Sequence, residues 1–175
     1  MAQSHLDELS PALKAVQKEL TSKFGKKLLD TSVFRGELTF VVAPEDWVSV
    51  LTYCKESESL AFDRLDCLLG NHYPGRTDQP FEVAANLTSI PNTTRLRIKT
   101  QLAEGQSLAT ATGIWPSANF DERETWEMFG VVFEGHPNLE RLLLIPEFKG
   151  FPLRKDFPLE GLVGGRIRTD LKGKL

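Results

Sequence analysis

Apolar residues recur along this chain with two different periods, and the switches between them outline its elements. Leu13, Val16, Leu20 and Phe24 follow one another at steps of three and four, which places them on one stripe of a helix. A helix is predicted over residues 4–24, with Ser10 as a cap, Pro11 in its first turn and Gly25 as its stop. Leu28–Phe34 and Glu37–Val42 read as two strands around an Arg35-Gly36 turn. Pro44 then opens a second helix over 45–56, whose apolar face is Trp47, Val48, Leu51 and Cys54.

The period changes to two further on. Ala61–Leu69 reads as a strand, and in Phe81–Ser89 the residues Phe81, Val83, Ala85 and Leu87 alternate with Glu82, Asn86 and Thr88. Over Arg95–Leu102, Leu96 and Ile98 alternate with Arg97 and Lys99. Alternation with one polar face implies an antiparallel sheet that is solvated on one side. The loop 71–80 has no period. Helical spacing returns over 107–130, with Pro116 placed for a first turn and Gly130 as the end. Beyond it, Pro137, Pro146, Pro152 and Pro158 leave room for one short helix, 138–144, capped by Asn138.

The order of elements predicts an α+β fold: a two-layer domain with an antiparallel or mixed sheet covered by helices on one face, plus an extended proline-rich C-terminal tail. The predicted boundary divides a globular domain, 1–148, from a tail, 149–175. Charge supports it. Residues 1–148 carry 14 basic and 21 acidic side chains, a balance of −7, and residues 149–175 carry 7 basic and 3 acidic, a balance of +4. A basic tail behind an acidic body marks a segment that lies on something else. The net charge of −3 argues against nucleic-acid binding by the whole chain. At 41% apolar residues the composition is that of a globular chain, not a disordered one. No window approaches the eighteen or so consecutive apolar residues of a membrane span, and residues 1–20 lack a signal-peptide core. Membrane association is therefore expected only through a partner.

Candidate chemistry is sparse. Cys54 and Cys67 lie thirteen residues apart, not in the paired spacing of an iron–sulfur ligand set. His5, His72 and His136 are scattered and form no ligand pair. The densest charged cluster is Asp121, Glu122, Arg123, Glu124 and Glu127. Two residues apart on a helix, Glu122 and Glu124 diverge by about 200° and cannot share a substrate, while Arg123 and Glu127 have the spacing of a helical ion pair. His136, between Gly135 and Pro137, reads as a turn residue that donates to backbone. In Gly150–Leu159, Pro152 and Pro158 hold Phe151 and Phe157 extended. That segment reads as one laid against a partner, with Arg154 free to pair with a carboxylate there. The other reading is an ordinary ordered tail on its own domain.

Several of these stretches together resemble one family. Glu122-Arg123-Glu124-Thr125-Trp126-Glu127-Met128-Phe129-Gly130 is followed by Gly135-His136-Pro137-Asn138-Leu139 and Arg141-Leu142-Leu143, then by Pro152-Leu153-Arg154-Lys155-Asp156-Phe157-Pro158-Leu159. This combination resembles the signature of the C subunit, or 30 kDa subunit family, of the proton-pumping NADH:quinone oxidoreductase, respiratory complex I. The resemblance departs at Glu127, where the family usually has Asp, and at Glu140, where it usually has a basic residue.

The resemblance implies a two-layer α+β component of the peripheral arm that is non-catalytic by itself. It implies no catalytic, cofactor-binding or metal residues in this chain, with FMN, iron–sulfur clusters and quinone held by other subunits. It implies packing on the D subunit of the complex, with the B and I subunits nearby, on the cytoplasmic side of the inner membrane. The interface expected from it comprises Glu122, Arg123, Glu124, Trp126, Phe129, His136, Pro137, Arg141, Phe151, Leu153, Arg154, Lys155, Asp156 and Phe157. Similar subunits occur in ferredoxin-linked and F420-linked complexes and in membrane-bound hydrogenases, which is the alternative within the class. A stand-alone small enzyme using the Glu122–His136 region is the alternative from another class.

Overall fold

The computed structural model describes residues 9–158. Helix α1 spans Pro11–Phe24, and the Ser10 hydroxyl accepts the Leu13 N–H at 3.3 Å. It starts at Pro11, later than predicted, because proline has no N–H to give to a preceding turn; residues 4–8 lie outside the described part. Strands β1 (Leu28–Phe34) and β2 (Glu37–Val42) form the predicted hairpin. Both turn residues have positive φ, 52° at Arg35 and 76° at Gly36, as the hairpin turn with the matching twist requires. A 3-10 turn at Pro44–Asp46 leads into α2, Trp47–Glu56.

Strand β3 runs Arg64–His72, three residues later than predicted. Ala61 at φ 46° turns the chain, and the Phe62 N–H bonds the Cys54 carbonyl at 3.0 Å, which holds residues 61 and 62 against α2. Strands β4 (Phe81–Ser89) and β5 (Thr94–Leu102) complete a sheet of order β1-β2-β5-β4-β3. The sheet is mixed, because β2 and β5 pair in parallel. Helix α2 carries the chain to the far edge, and the β3–β4–β5 meander returns to lay β5 beside β2 in the same direction.

One face of the sheet presents Leu38, Phe40, Phe81, Val83, Ala85, Leu87, Leu96 and Ile98 to α1 and α2, which contribute Leu20, Trp47, Val50 and Leu51. Burying each of the Leu, Ile, Val and Phe side chains among them contributes about 1.5–3 kcal/mol. The opposite face is polar. There Arg97 bonds Asn86 and Glu37, and Thr88 bonds Asp66. At its β4 end this face is less solvated than the alternation implies. Ala84 and Glu82 are both buried, the latter held by Arg76 at 3.2 Å and Lys99 at 3.0 Å.

The predicted helix over 107–130 is confined to α3, Ala118–Phe129. Residues before it form turns and the short strand β6 (Leu108–Ala109), which pairs in parallel with β7 (Phe133–Glu134). Helix α3 lies along the edge strand β3. Asp121 accepts the Leu68 N–H at 2.7 Å, and a Cβ on Gly70 would come within 2.8 Å of both Thr125 and Phe129. Gly70 pairs with Val83, whose side chain faces the core. Side chains of paired residues share a face, so α3 covers the same face as α1 and α2.

Candidate docking surface around helix α3

Helix α3 carries the expected cluster, and three of its four carboxylates, those of Asp121, Glu122 and Glu127, are engaged within the fold. Glu122 lies in the buried stripe with Ala118 and Thr125 and is itself completely buried. Its oxygens accept the Ala111 N–H at 2.6 Å and the Thr110 hydroxyl at 2.5 Å, joining α3 to the turn after β6. Burial pushes its pKa up to about 7; the two hydrogen bonds oppose the rise and the neighbouring Asp121 adds to it. Glu124 points to solvent. The predicted Arg123–Glu127 pair does not form. Arg123 donates to the carbonyls of Glu140 at 2.9 Å and Arg141 at 3.2 Å.

Glu127 instead holds three consecutive backbone N–H groups: Leu142 at 3.0 Å, Leu143 at 2.9 Å and Leu144 at 2.7 Å. Arg141 stands 3.9 Å away and donates to the Phe148 carbonyl. Burial alone would raise the Glu127 pKa, but these donors and the Arg141 charge outweigh it and hold it below the usual carboxylate range. This arrangement replaces the helix predicted over 138–144, because the N–H groups that would begin its ladder already serve a side chain. It fixes a backbone on which Leu142, Leu143 and Ile145 stand 40%, 61% and 61% exposed.

His136 behaves as a turn residue. Its Nδ1 accepts the Asn138 N–H at 3.0 Å, so Nε2 carries the proton and donates to the Asn119 carbonyl at 3.1 Å. Pro137 beside it is exposed. Trp126 is half-buried, with the Arg141 guanidinium 6.0 Å from its ring centre.

The described part of the expected tail, 149–158, is a strap of turns folded onto its own domain. The Leu153 N–H bonds the Met128 carbonyl at 3.2 Å. Arg154, expected to await a partner's carboxylate, donates through Nε to the Phe129 carbonyl at 2.6 Å and pairs with Glu104 at 2.9 Å. Its guanidinium stacks near the rings of Phe81 and Phe151. Gly130, at φ 80°, ends α3 where a Cβ would lie 2.6 Å from Arg154 and 2.7 Å from Phe151. The Lys155 N–H bonds His72 Nδ1 at 3.0 Å, Asp156 stands 3.8 Å from the same atom, and Phe157 stacks on Phe148. Leu153 is left half exposed. Residues 159–175, which hold most of the basic tail, lie outside the described residues.

Two cavities stand out. One of about 570 Å³ opens between Tyr73–Arg76 and the strap, lined by His72, Phe129, Leu153 and Lys155 among others. The second, about 230 Å³, lies on the polar sheet face beside Cys67 and Arg97. Neither of these cavities is lined by Glu122 or His136. Among the described residues no three His, Cys, Asp or Glu side chains are grouped to hold a metal, and no helix is long and apolar enough to cross a membrane. Burial raises the pKa of the Cys54 thiol, which keeps it unreactive.

Reading side chains from sequence missed Glu127, Asp121 and His72 as the groups that tie segments together. One signal was available for the cluster: Glu122 stands four residues after Ala118 and three before Thr125, inside the apolar stripe and not beside it.

Comparison with known proteins agrees with this architecture. The family model described as "Respiratory-chain NADH dehydrogenase, 30 Kd subunit" matches residues 40–163. The C subunit of the NADH-quinone oxidoreductase of Geotalea uraniireducens is 40% identical over 158 residues, covering 90% of this chain and 92% of that protein. Its counterpart from Methylorubrum populi is 39% identical over 159 residues, covering 91% and 72%. Among solved structures, the trypsin-resistant fragment (1–134) of Nqo5 superposes with a TM-score of 0.63 at 30% identity, covering 73% of this chain and 99% of the fragment. A chain of the archaeal membrane-bound sulfane sulfur reductase superposes at 0.71 with 24% identity, covering 83% and 85%, a likeness of fold. The motifs gathered around α3, the mixed five-stranded sheet and these matches lead to one conclusion: the chain belongs to the 30 kDa subunit family of the respiratory-chain NADH dehydrogenase, the C subunits of NADH:quinone oxidoreductase.

Proposed function

We propose that this chain is a cofactor-free scaffold of the peripheral arm. It docks on the D subunit, with the B and I subunits nearby, in the module that passes electrons to quinone on the cytoplasmic side of the inner membrane. The observation that carries this reading is the apolar edge beside α3. Leu142, Leu143, Ile145 and Leu153 are each 40% exposed or more. They stand on backbone fixed by Glu127 on one side and Arg154 on the other. Large apolar side chains held rigidly in water suit a protein interface. In the proposed interface Phe129, Leu153, Lys155 and Asp156 face the partner, Glu124 and Pro137 lie at its rim, and Glu122, Arg123, Trp126, His136, Arg141, Phe151, Arg154 and Phe157 support it from behind.

Affinity purification of membrane complexes through this chain, followed by mass spectrometry, tests the reading. The D, B and I subunits should be recovered with it. Recovery of a nickel-iron hydrogenase large subunit would assign the chain to the related class. Turnover by the isolated chain with no partner would refute the scaffold role.

A further inference from the structure

The 570 Å³ cavity beside the strap brings basic and apolar side chains together. Its floor is His72, 8% exposed and stacked on Phe81 at 4.8 Å between ring centres. Because His72 Nδ1 accepts the Lys155 N–H, the ring proton sits on Nε2, which has no hydrogen-bond partner among the described residues. Arg76 and Lys155 both line the cavity. Arg76 is held through Nη1 by the buried Glu82 at 3.2 Å and packs on Tyr73 at 4.0 Å, while the Lys155 ammonium makes no ion pair among the described residues. Its lining also includes Phe129 and Leu153 and contains no carboxylate; Asp156 stands 3.8 Å from His72 Nδ1 and points to solvent.

We propose that this cavity receives an Asp or Glu side chain of a partner protein in the complex, its carboxylate held between Arg76 and Lys155 and its stem against Phe129 and Leu153. The inference rests on the scaffold reading above and specifies the partner's chemistry. The apolar walls favour a side chain over a free inorganic anion. Phe129, Leu153 and Lys155 also make the cavity continuous with the proposed interface.

Carbodiimide treatment of the assembled complex tests this, since it condenses a lysine amine with a carboxylate in contact. Lys155 should be joined to an Asp or Glu of another protein of the complex. Lys155→Glu should weaken retention of that protein at moderate salt by at least about tenfold, while Lys155→Arg retains it. Lys155 is exposed, and circular dichroism of each variant confirms that the domain folds. An intact complex with Lys155→Glu, in which wild-type Lys155 cross-links only within its own chain, overturns the proposal and leaves the scaffold role standing. Blocking of the cross-link by inorganic phosphate in an intact complex also overturns it, in favour of a free anion. Absence of the chain from every membrane complex defeats the scaffold reading itself, and this proposal with it.

Discussion

The guanidinium of Arg154 closes the carboxyl end of α3, its Nε 2.6 Å from the carbonyl oxygen of Phe129. A cation at that position satisfies an orphan carbonyl and sits at the negative end of the helix dipole. The residue is thus part of the domain's own architecture. Arg154→Ala should destabilise the isolated domain by about 1.5–3 kcal/mol, the range for a charge-assisted hydrogen bond. The pair with Glu104 adds little, because Glu104 is largely exposed. Denaturant unfolding measures the loss, and unchanged stability would return Arg154 to a partner.

Gly130 is needed for its conformation and for its lack of a side chain. Gly130→Ala should cost more than about 1 kcal/mol through its positive φ alone. It should also displace Phe151, 2.7 Å from the added carbon. Phe151→Ala made together with Gly130→Ala should cost less than the sum of the two single changes. Strict additivity in that double-mutant cycle would show that the two do not touch.

The Glu127 carboxylate should govern the backbone of 142–144. Glu127→Gln removes the charge and one acceptor oxygen. The amides of Leu142, Leu143 and Leu144 should then exchange hydrogen faster, by about tenfold or more, while those of β4 change little. Because this carboxyl has a depressed pKa in the folded state, its contribution is present above the unfolded value of 4.5 and is lost as pH falls through the folded value. Acid should therefore release 142–144 before the sheet melts. Hydrogen exchange across an acid titration checks this.

Glu122 works in the opposite sense. Its folded pKa is raised from 4.5 to about 7, so the folded state holds the proton more tightly than the unfolded chain. The resulting stability is complete below pH 4.5 and is lost as pH rises through about 7. Glu122→Gln should flatten the pH dependence of unfolding across that window. A slope that persists in the variant would place its origin in another group.

Periodicity made much of the fold legible. The stripe from Leu13 to Phe24 and the alternation from Phe81 to Leu87 each gave the element observed, and the Arg35-Gly36 turn held the hairpin. What periodicity could not show was direction, because the parallel approach of β5 to β2 depends on where α2 delivers the chain. Nor could it show side-chain bonds to distant backbone. Glu127 reaches Leu142–Leu144, and His72 receives Lys155, across 83 residues. Such bonds leave no local spacing, and they turned a predicted helix and part of an extended tail into segments bound to α3. The motif cluster was visible as a block in the sequence because its members converge on one helix.

The two margins of the main sheet differ. At β3 the Leu68 N–H is occupied by Asp121 and α3 lies alongside, which hinders the addition of another strand there. At β1, among the described residues, the margin has no strand beyond it, and its pairing with β2 is irregular between Leu28 and Asp30. Two copies joined at β1 would pair about a two-fold axis, a closed contact that leaves α3 alongside each outer margin and so disfavours propagation into a fibre.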